Sequence, residues 1–223
     1  MRQTPWTDAL PELLAALGET GWMVGWSFLI TLVLGTAVGV LLRLWAPDGL
    51  RPSRALYGAV GAVVNVARSL PFLILMIALI GFTRWLVGTA YGPTAAVVPL
   101  AVGAIPFYAR VVEAALREVA PGKVEAAQVM GANTGQIVSK VLLPESLPGL
   151  VAGATLTLVT LIGYSTMAGA IGGGGVGDFA IRYGYQRFNM PVLLMAVLVL
   201  IAIVQVVQSL GDAAVARMAH RRG

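Results

Sequence analysis

Residues 121–144 read PGKVEAAQVMGANTGQIVSKVLLP, a polar loop set between two strongly apolar stretches. Pro121-Gly122 breaks the helix before it, and residues 123–130 are mostly good helix formers. Gly131-Ala132-Asn133 ends that turn, and Asn133 with Gln136 has the spacing of a capping box for a second helix. The pattern predicts a helix–break–helix near a membrane surface. Small Ala126 and Ala127 would let another protein approach closely. Glu125, near the start of its helix, is placed to complement the helix dipole and to pair with a partner's Arg or Lys. The same letters also fit an ordinary amphipathic loop, so their surroundings decide.

Composition supplies the first of those surroundings. The 223-residue chain has a mean hydropathy of +0.84, with 58% apolar and only 11% charged residues. A soluble domain carries about 25% charge, so little here could serve as a soluble surface. The 27 Gly suit membrane helices, which use small residues for close packing. With no Cys, neither a disulfide nor a thiolate metal site can form, and His220 has no second imidazole with which to share a metal. The net charge of +5 would raise nucleic acid as a partner for a soluble chain. In a membrane chain it reads instead as retention of loops on one side of the bilayer, so no nucleic acid is expected.

At the N-terminus, Asp8, Glu12 and Glu19 accompany only Arg2, which does not fit a cleaved signal peptide. Leu10, Leu13, Leu14 and Leu17 fall instead at i, i+3, i+4 and i+7. That is the stripe of a short amphipathic helix on the membrane, or of a merely leucine-rich leader.

Crossing a bilayer takes about 20 apolar residues in a helix. Five segments qualify: residues 22–42, 55–82, 93–116, 147–171 and 191–207. The third contains Pro99 and Pro106, each inviting a kink, and the second is interrupted by Asn65, Arg68 and Pro71. With the N-terminus outside, eleven of the fifteen Lys and Arg fall in or beside the inner loops and C-terminus. Arg2, Arg84, Arg182 and Arg187 make up the outer set. Such a bias sets orientation during insertion, and it places the 121–144 loop in the cytoplasm. The expected organisation is an amphipathic or interfacial segment over 1–20, a transmembrane domain over 21–217 carrying the loop at 119–144, and a basic cytoplasmic tail over 218–223.

Arg68 is the most costly residue by position, since a cation at a helix centre costs roughly 2.5–3.5 kcal/mol. It reads as lying toward the inner end of its segment, where it could snorkel. The alternatives are a place at a subunit interface or pathway mouth, or contact with substrate. Asn65, Ser69, Tyr164, Ser165, Thr166 and Met167 either bond within the membrane helices or line a pathway of weak contacts. Met167 suits an apolar constriction. Glu113 and Glu118 lie within reach of Arg110 or Arg117, which suggests an ion-pair network at the inner end of the third span.

Residues 172–177, GGGGVG, match the letters of a dinucleotide fingerprint. They follow a membrane helix rather than a strand, and no acidic residue lies about 20 positions on. The Lys-Ser/Thr of a nucleotide-binding P-loop is also missing. The run reads as a break after the fourth span, serving as a gate, a docking loop or a simple helix stop. No carboxylate pair, Ser-His-Asp set or metal cluster is visible, so no catalytic or metal residue is expected.

Glu125-Ala126-Ala127, Gly131 and Leu143-Pro144 stand at the spacing of the EAA loop of ATP-binding-cassette (ABC) importer permeases. Val141 takes the place of the Ile with which that pattern closes. Arg68-Ser69-Leu70-Pro71-Phe72, Phe82-Thr83-Arg84, Val98-Pro99-Leu100, Pro106-Phe107, Gly163-Tyr164-Ser165 and Arg182-Tyr183-Gly184-Tyr185 extend the likeness. With the stretch 143–150, they make nearly the whole chain after residue 20 resemble the permease subunit of bacterial methionine ABC importers.

The resemblance implies an all-α membrane protein, with five transmembrane helices of the type I ABC importer permease fold and cytoplasmic coupling helices between the third and fourth. It makes Glu125, Ala126, Ala127, Gly131, Leu143 and Pro144 the ATPase-coupling residues. It also implies a second copy of the chain, two ABC ATPase subunits carrying ATP and Mg, and an extracytoplasmic substrate-binding lipoprotein. The setting is the bacterial inner membrane with its lipid, and the substrate a small molecule. Candidate pathway or gate residues are Arg68, Ser69, Tyr164, Ser165 and Met167. Methionine uptake (L and/or D) by alternating access is the leading expectation. A permease for another amino acid or small osmolyte, an ion-coupled secondary transporter and a non-transporting scaffold are the alternatives. The secondary transporter would carry an Asp or Glu in mid-membrane, where none is expected.

Overall fold

The computed structural model describes residues 6–220. Arg2, Arg221 and Arg222, with the ends of the expected 1–20 and 218–223 segments, lie outside the described residues, as does the side chain of His220. All regular elements among the described residues are helical. They are α1 (Trp6–Trp45), α2 (Arg54–Ser69), α3 (Phe72–Ala78), α4 (Ile80–Val87), α5 (Pro93–Arg117), α6 (Pro121–Val129), α7 (Thr134–Ile137), α8 (Leu143–Ala170), α9 (Gly175–Phe179) and α10 (Met190–His220). Single π-helical turns at Val138–Leu142 and Ala180–Tyr185 join α7 to α8 and prolong α9. Four stretches are long and apolar enough to cross a membrane: Ala9–Trp45, Pro93–Arg117, Thr134–Ala170 and Met190–Met218. The bent pair α2–α3 supplies a fifth.

Helix α5 is the centre of the bundle, and glycine lets its neighbours reach it. Gly35 and Gly39, a G-x-x-x-G pair on α1, lie against Tyr108, Ala109 and Val112. Gly149 and Gly153, a second such pair on α8, lie against Ala115 and Val111. In lipid there is little hydrophobic drive between helices, so close backbone approach and van der Waals contact do the work. A Cβ on Gly39 would stand 2.6 Å from both the Ala109 carbonyl oxygen and Val112 Cβ. Gly39→Val therefore wedges α1 off α5 and is expected to cost about 1–3 kcal/mol, as overpacking does. The check is a fall in the apparent Tm of the detergent-purified protein, with Gly58→Val, where nothing lies within 4 Å, as the control.

Two expectations change shape. The leucine stripe near residue 10 is not a separate surface helix but the beginning of α1, which runs 40 residues, about 60 Å and twice the hydrocarbon thickness. Its buried face is Ala9, Leu13 and Ala16, packed on Val176, Phe179, Val192 and Ala196, while Leu10 and Leu14 point away. Leu13 fills the contact between two small alanines, and Leu17 packs at its margin. The second expected span is not one helix either. α2 and α3 meet at 105°, because Pro71 has no N–H to continue the ladder and holds Leu70 extended at ψ 128°. Pro99 and Pro106, by contrast, leave α5 a single helix.

Candidate functional site

Three features draw attention: the loop between α5 and α8, a charged cluster beside it, and a pocket halfway up the bundle. In the loop, extended Ala120 (ψ 126°) releases the chain from α5 and Pro121 opens α6. Gly131, at φ +80°, ends it. Asn133 Oδ1 accepts from the Gln136 N–H at 2.9 Å, and Gln136 Oε1 accepts from the Asn133 N–H at 2.8 Å. The expected capping box is therefore present, and it starts a helix that continues through the π turn into α8. The second half of the loop is thus a rigid extension of a membrane-spanning helix.

Helix α6 is pinned at defined points. Ala127 is buried among Leu116, Val119, Ile137 and Leu142, and Lys123 Nζ pairs with Glu145 Oε2 at 2.7 Å. The α1–α2 connection is held to the same unit by Arg51 Nε donating to Thr134 Oγ1 at 3.2 Å. Glu125 and Ala126 remain exposed, and among the described residues no ion pair engages the Glu125 carboxylate. Beside them a groove of about 380 Å³ runs between the α1–α2 connection and α6, lined by Arg43, Asp48, Arg117, Glu125 and Gln128. Of the expected coupling residues, Ala127 faces inward, Leu143 is half-buried, and Gly131 and Pro144 are exposed.

Sequence reading missed Val129 and Met130, which are 89% and 80% exposed at the tip of α6. Val129 lies two residues past Ala127, roughly 200° around the helix, so its exposure follows once the packing buries Ala127. Bare aliphatic side chains on a loop that is otherwise polar mark a contact surface.

Behind the loop, Glu113 is 4% exposed and holds together two helices. Its carboxylate accepts from Arg110 at 2.6 Å, Arg117 at 3.1 Å and the Tyr57 hydroxyl of α2 at 3.0 Å. Arg110 Nη2 donates further to the Gly61 carbonyl and Asn65 Oδ1. The network expected from Glu113 and the two arginines is therefore real, while Glu118 is exposed and makes none of these ion pairs. Tyr57, Gly61 and Asn65 were not anticipated, because they reach α5 only through the packing of α2.

Of the candidate pathway residues, Arg68 and Tyr164 meet. They line a pocket of about 130 Å³ together with Phe72, Gly103 and Phe107, and the Phe72 and Tyr164 rings stack at 4.2 Å. Gly103 and Phe107 each stand ten residues from an end of α5, so the pocket lies at half height. Arg68 is therefore not at the inner end, as a straight second span implied; the elbow at Pro71 leaves it central. Ser69 sits at the elbow, donating to the Val66 carbonyl, and Met167 is 49% exposed. Ser165 is not brought into the pocket: it is buried and donates to the Ile162 carbonyl.

At the opposite end from the loop, the glycine run is a tight reversal. Gly172, Gly174 and Gly175 have φ between +76° and +90°. A Cβ on Gly169 would stand 2.3 Å from the Asp178 nitrogen, so α8 and α9 touch backbone to backbone. Glu19 Oε2 accepts from the Gly175 N–H and Thr20 Oγ1 from that of Val176, tying α1 to the start of α9. The run joins helix α8 to helix α9, where a dinucleotide fingerprint would follow a strand.

Comparison with known proteins places this architecture. The chain is 52% identical over 209 residues to the "Probable D-methionine transport system permease protein MetI" of Vibrio cholerae, covering 94% of this chain and 93% of that one. It is 48% identical over 203 residues to the "Methionine import system permease protein MetP" of Bacillus subtilis, covering 91% of each. A chain of the MetNI methionine ABC transporter in an inward-facing conformation superposes with a TM-score of 0.93 at 46% identity, covering 95% of this chain and 98% of that one. A histidine-bound amino acid ABC transporter shares the fold alone, at 16% identity and a TM-score of 0.79. Residues 32–220 match the family described as "Binding-protein-dependent transport system inner membrane component". With its five spans, its helix–glycine–helix loop and this match over most of its length, the chain belongs to the binding-protein-dependent transport system inner-membrane component family.

Proposed function

We propose that this chain is the permease subunit of an ATP-driven importer of methionine (L and/or D), working as a homodimer with two ABC ATPase subunits and an extracytoplasmic binding protein. The observation that carries the reading is the exposed face of α6. There an exposed Glu125 and bare Val129 and Met130 stand on a helix braced against α8 by Ala127 and the Lys123–Glu145 pair. A displacement of that face passes to α8 through those two braces, and the capping box and π turn make the second half of the loop and the fourth span one continuous helix. ATP and Mg belong to the partner ATPase, and hydrolysis takes place there. Closure of the two ATPases draws the paired loops together and opens the pathway outward, and release reverses it. The loops bias an equilibrium between two states, which is what alternating access requires. The N-terminus lies outside and the loop in the cytoplasm, consistent with Arg43, Arg51, Arg54, Arg117, Lys123 and Lys140 near the loop end.

Within this reading Glu125, Ala126, Gly131, Leu143 and Pro144 serve the ATPase contact, joined by Val129 and Met130, while Ala127 seats α6. Arg68, Ser69, Tyr164 and Met167 border the pathway, and Ser165 packs the bundle. The test is ATP-driven uptake of labelled L- and D-methionine into proteoliposomes holding this chain, its cognate ATPase and its binding protein. Concentrative methionine uptake is expected. ATPase stimulation by the binding protein loaded with another solute, without methionine uptake, transfers the assignment to that solute. Uptake without ATP, driven by an ion gradient, sinks the importer reading altogether.

A further inference from the structure

Arg68 occupies the last turn of α2, directly before the 105° elbow, at half height of the spanning bundle. Among the described residues it makes no ion pair, and the buried carboxylate of neighbouring α5, Glu113, is already held by Arg110 and Arg117. A cation at that height is retained only where water, a ligand or a second chain satisfies it. Its surroundings have a definite chemistry. Arg68 lines the pocket and is exposed, and a guanidinium has the shape that binds a carboxylate through two parallel hydrogen bonds. The aromatic part of the lining is formed by Phe107 and by Phe72 stacked on Tyr164. The volume of about 130 Å³ holds a carboxylate and the atoms attached to it. A cation and aromatic rings lining one pocket match a small amphiphilic acid, charged at one end and apolar at the other.

We propose that Arg68 is a substrate-contacting residue that receives the carboxylate of an amino acid with an apolar side chain during its passage. This rests on reading the chain as an amino-acid importer's permease. Placed at the elbow, the guanidinium moves with any change in the α2–α3 angle, so its hold on the carboxylate differs between the two access states. A transient contact of that kind lets substrate through, where a rigid one would trap it.

The experiment has two arms. The chain contains no cysteine, so Arg68→Cys introduces a unique thiol. In the complete transporter with cysteine-free partners, that thiol is expected to react with a water-soluble, membrane-impermeant anionic thiosulfonate, and more slowly when methionine-loaded binding protein is present. No reaction, with or without ATP, overturns the proposal, because Arg68 would then face lipid or packed protein. In the second arm, Arg68→Leu is expected to lower methionine uptake about tenfold or more, the loss of a charge-assisted hydrogen bond. ATPase stimulation by loaded binding protein should stay near that of the unaltered complex, and Arg68→Lys should transport at an intermediate rate. Undiminished uptake by Arg68→Leu overturns the proposal. A parallel fall in ATPase and uptake does so as well, since it marks a structural role. If the unaltered transporter itself takes up no methionine, the importer's substrate is wrong, while the labelling arm still decides whether Arg68 faces an aqueous path.

Discussion

Glu125→Arg is expected to abolish ATP-driven uptake while leaving this chain folded. The carboxylate is exposed and forms no ion pair among the described residues, so reversing it disturbs none of their ion pairs. Its neighbours along the groove include Arg43 and Arg117, to which a third cation would be added. The face then repels any Lys or Arg presented by an ATPase, and like charges brought together at an interface both weaken binding and slow association. Three measurements check it together: the apparent Tm of the purified chain, co-purification of the ATPase with it, and methionine uptake. The expected pattern is an unchanged Tm with loss of the other two. Normal uptake by Glu125→Arg removes Glu125 from the coupling surface. Val129→Asp and Met130→Asp, at bare apolar positions, are expected to weaken co-purification in the same way.

The second large effect lies inside the bundle, at Glu113. Replacing it by Leu leaves Arg110 and Arg117 without their shared carboxylate and the Tyr57 hydroxyl without its acceptor. Breaking a buried ion pair by removing one partner costs about 3–5 kcal/mol, and the low end applies here because Arg117 is half exposed. For a chain of this size that corresponds to a fall in Tm of about 6–12 °C. Unlike Glu125→Arg, this variant should lose stability and uptake together. The double replacement Glu113→Leu with Arg110→Leu should recover part of the Tm, because it removes the stranded charge along with its partner. A Glu113→Leu chain as stable as the original would show that water or lipid headgroups, not the carboxylate, satisfy the arginines.

How much of this was readable beforehand differs from element to element. Long apolar runs declare themselves, since a membrane span needs only length and the absence of charge, and both are local properties. The loop was readable for another reason. Proline, glycine and an Asn–Gln cap act on their own backbone within a few residues, so the helix–break–helix of residues 121–137 follows from spacing alone. The resemblance of its Glu-Ala-Ala and Gly to the EAA pattern pointed to the family that the comparison then established.

Three features depended on contacts between residues far apart in the chain. The face of α1 that is buried near its start is chosen by α9 and α10, which take Ala9, Leu13 and Ala16 and leave Leu10 and Leu14 outside. The height of Arg68 depends on the elbow at Pro71 and on which part of α5 lies opposite, so a straight helix placed it at the wrong end. Val129 and Met130 are bare because Ala127, not they, faces the α5–α8 junction.

From the letters alone came the membrane setting, the number of spans, the bias of charge along the chain and the helix–break–helix loop, all products of composition or of interactions within a few residues. Tertiary structure alone decided that α5 is gripped by two G-x-x-x-G helices, that Tyr57 and Asn65 complete the Glu113 cluster, and that Arg68 meets Tyr164 in mid-bundle. Those are choices of face and register between helices, and they are set by which side chains leave room for a neighbour.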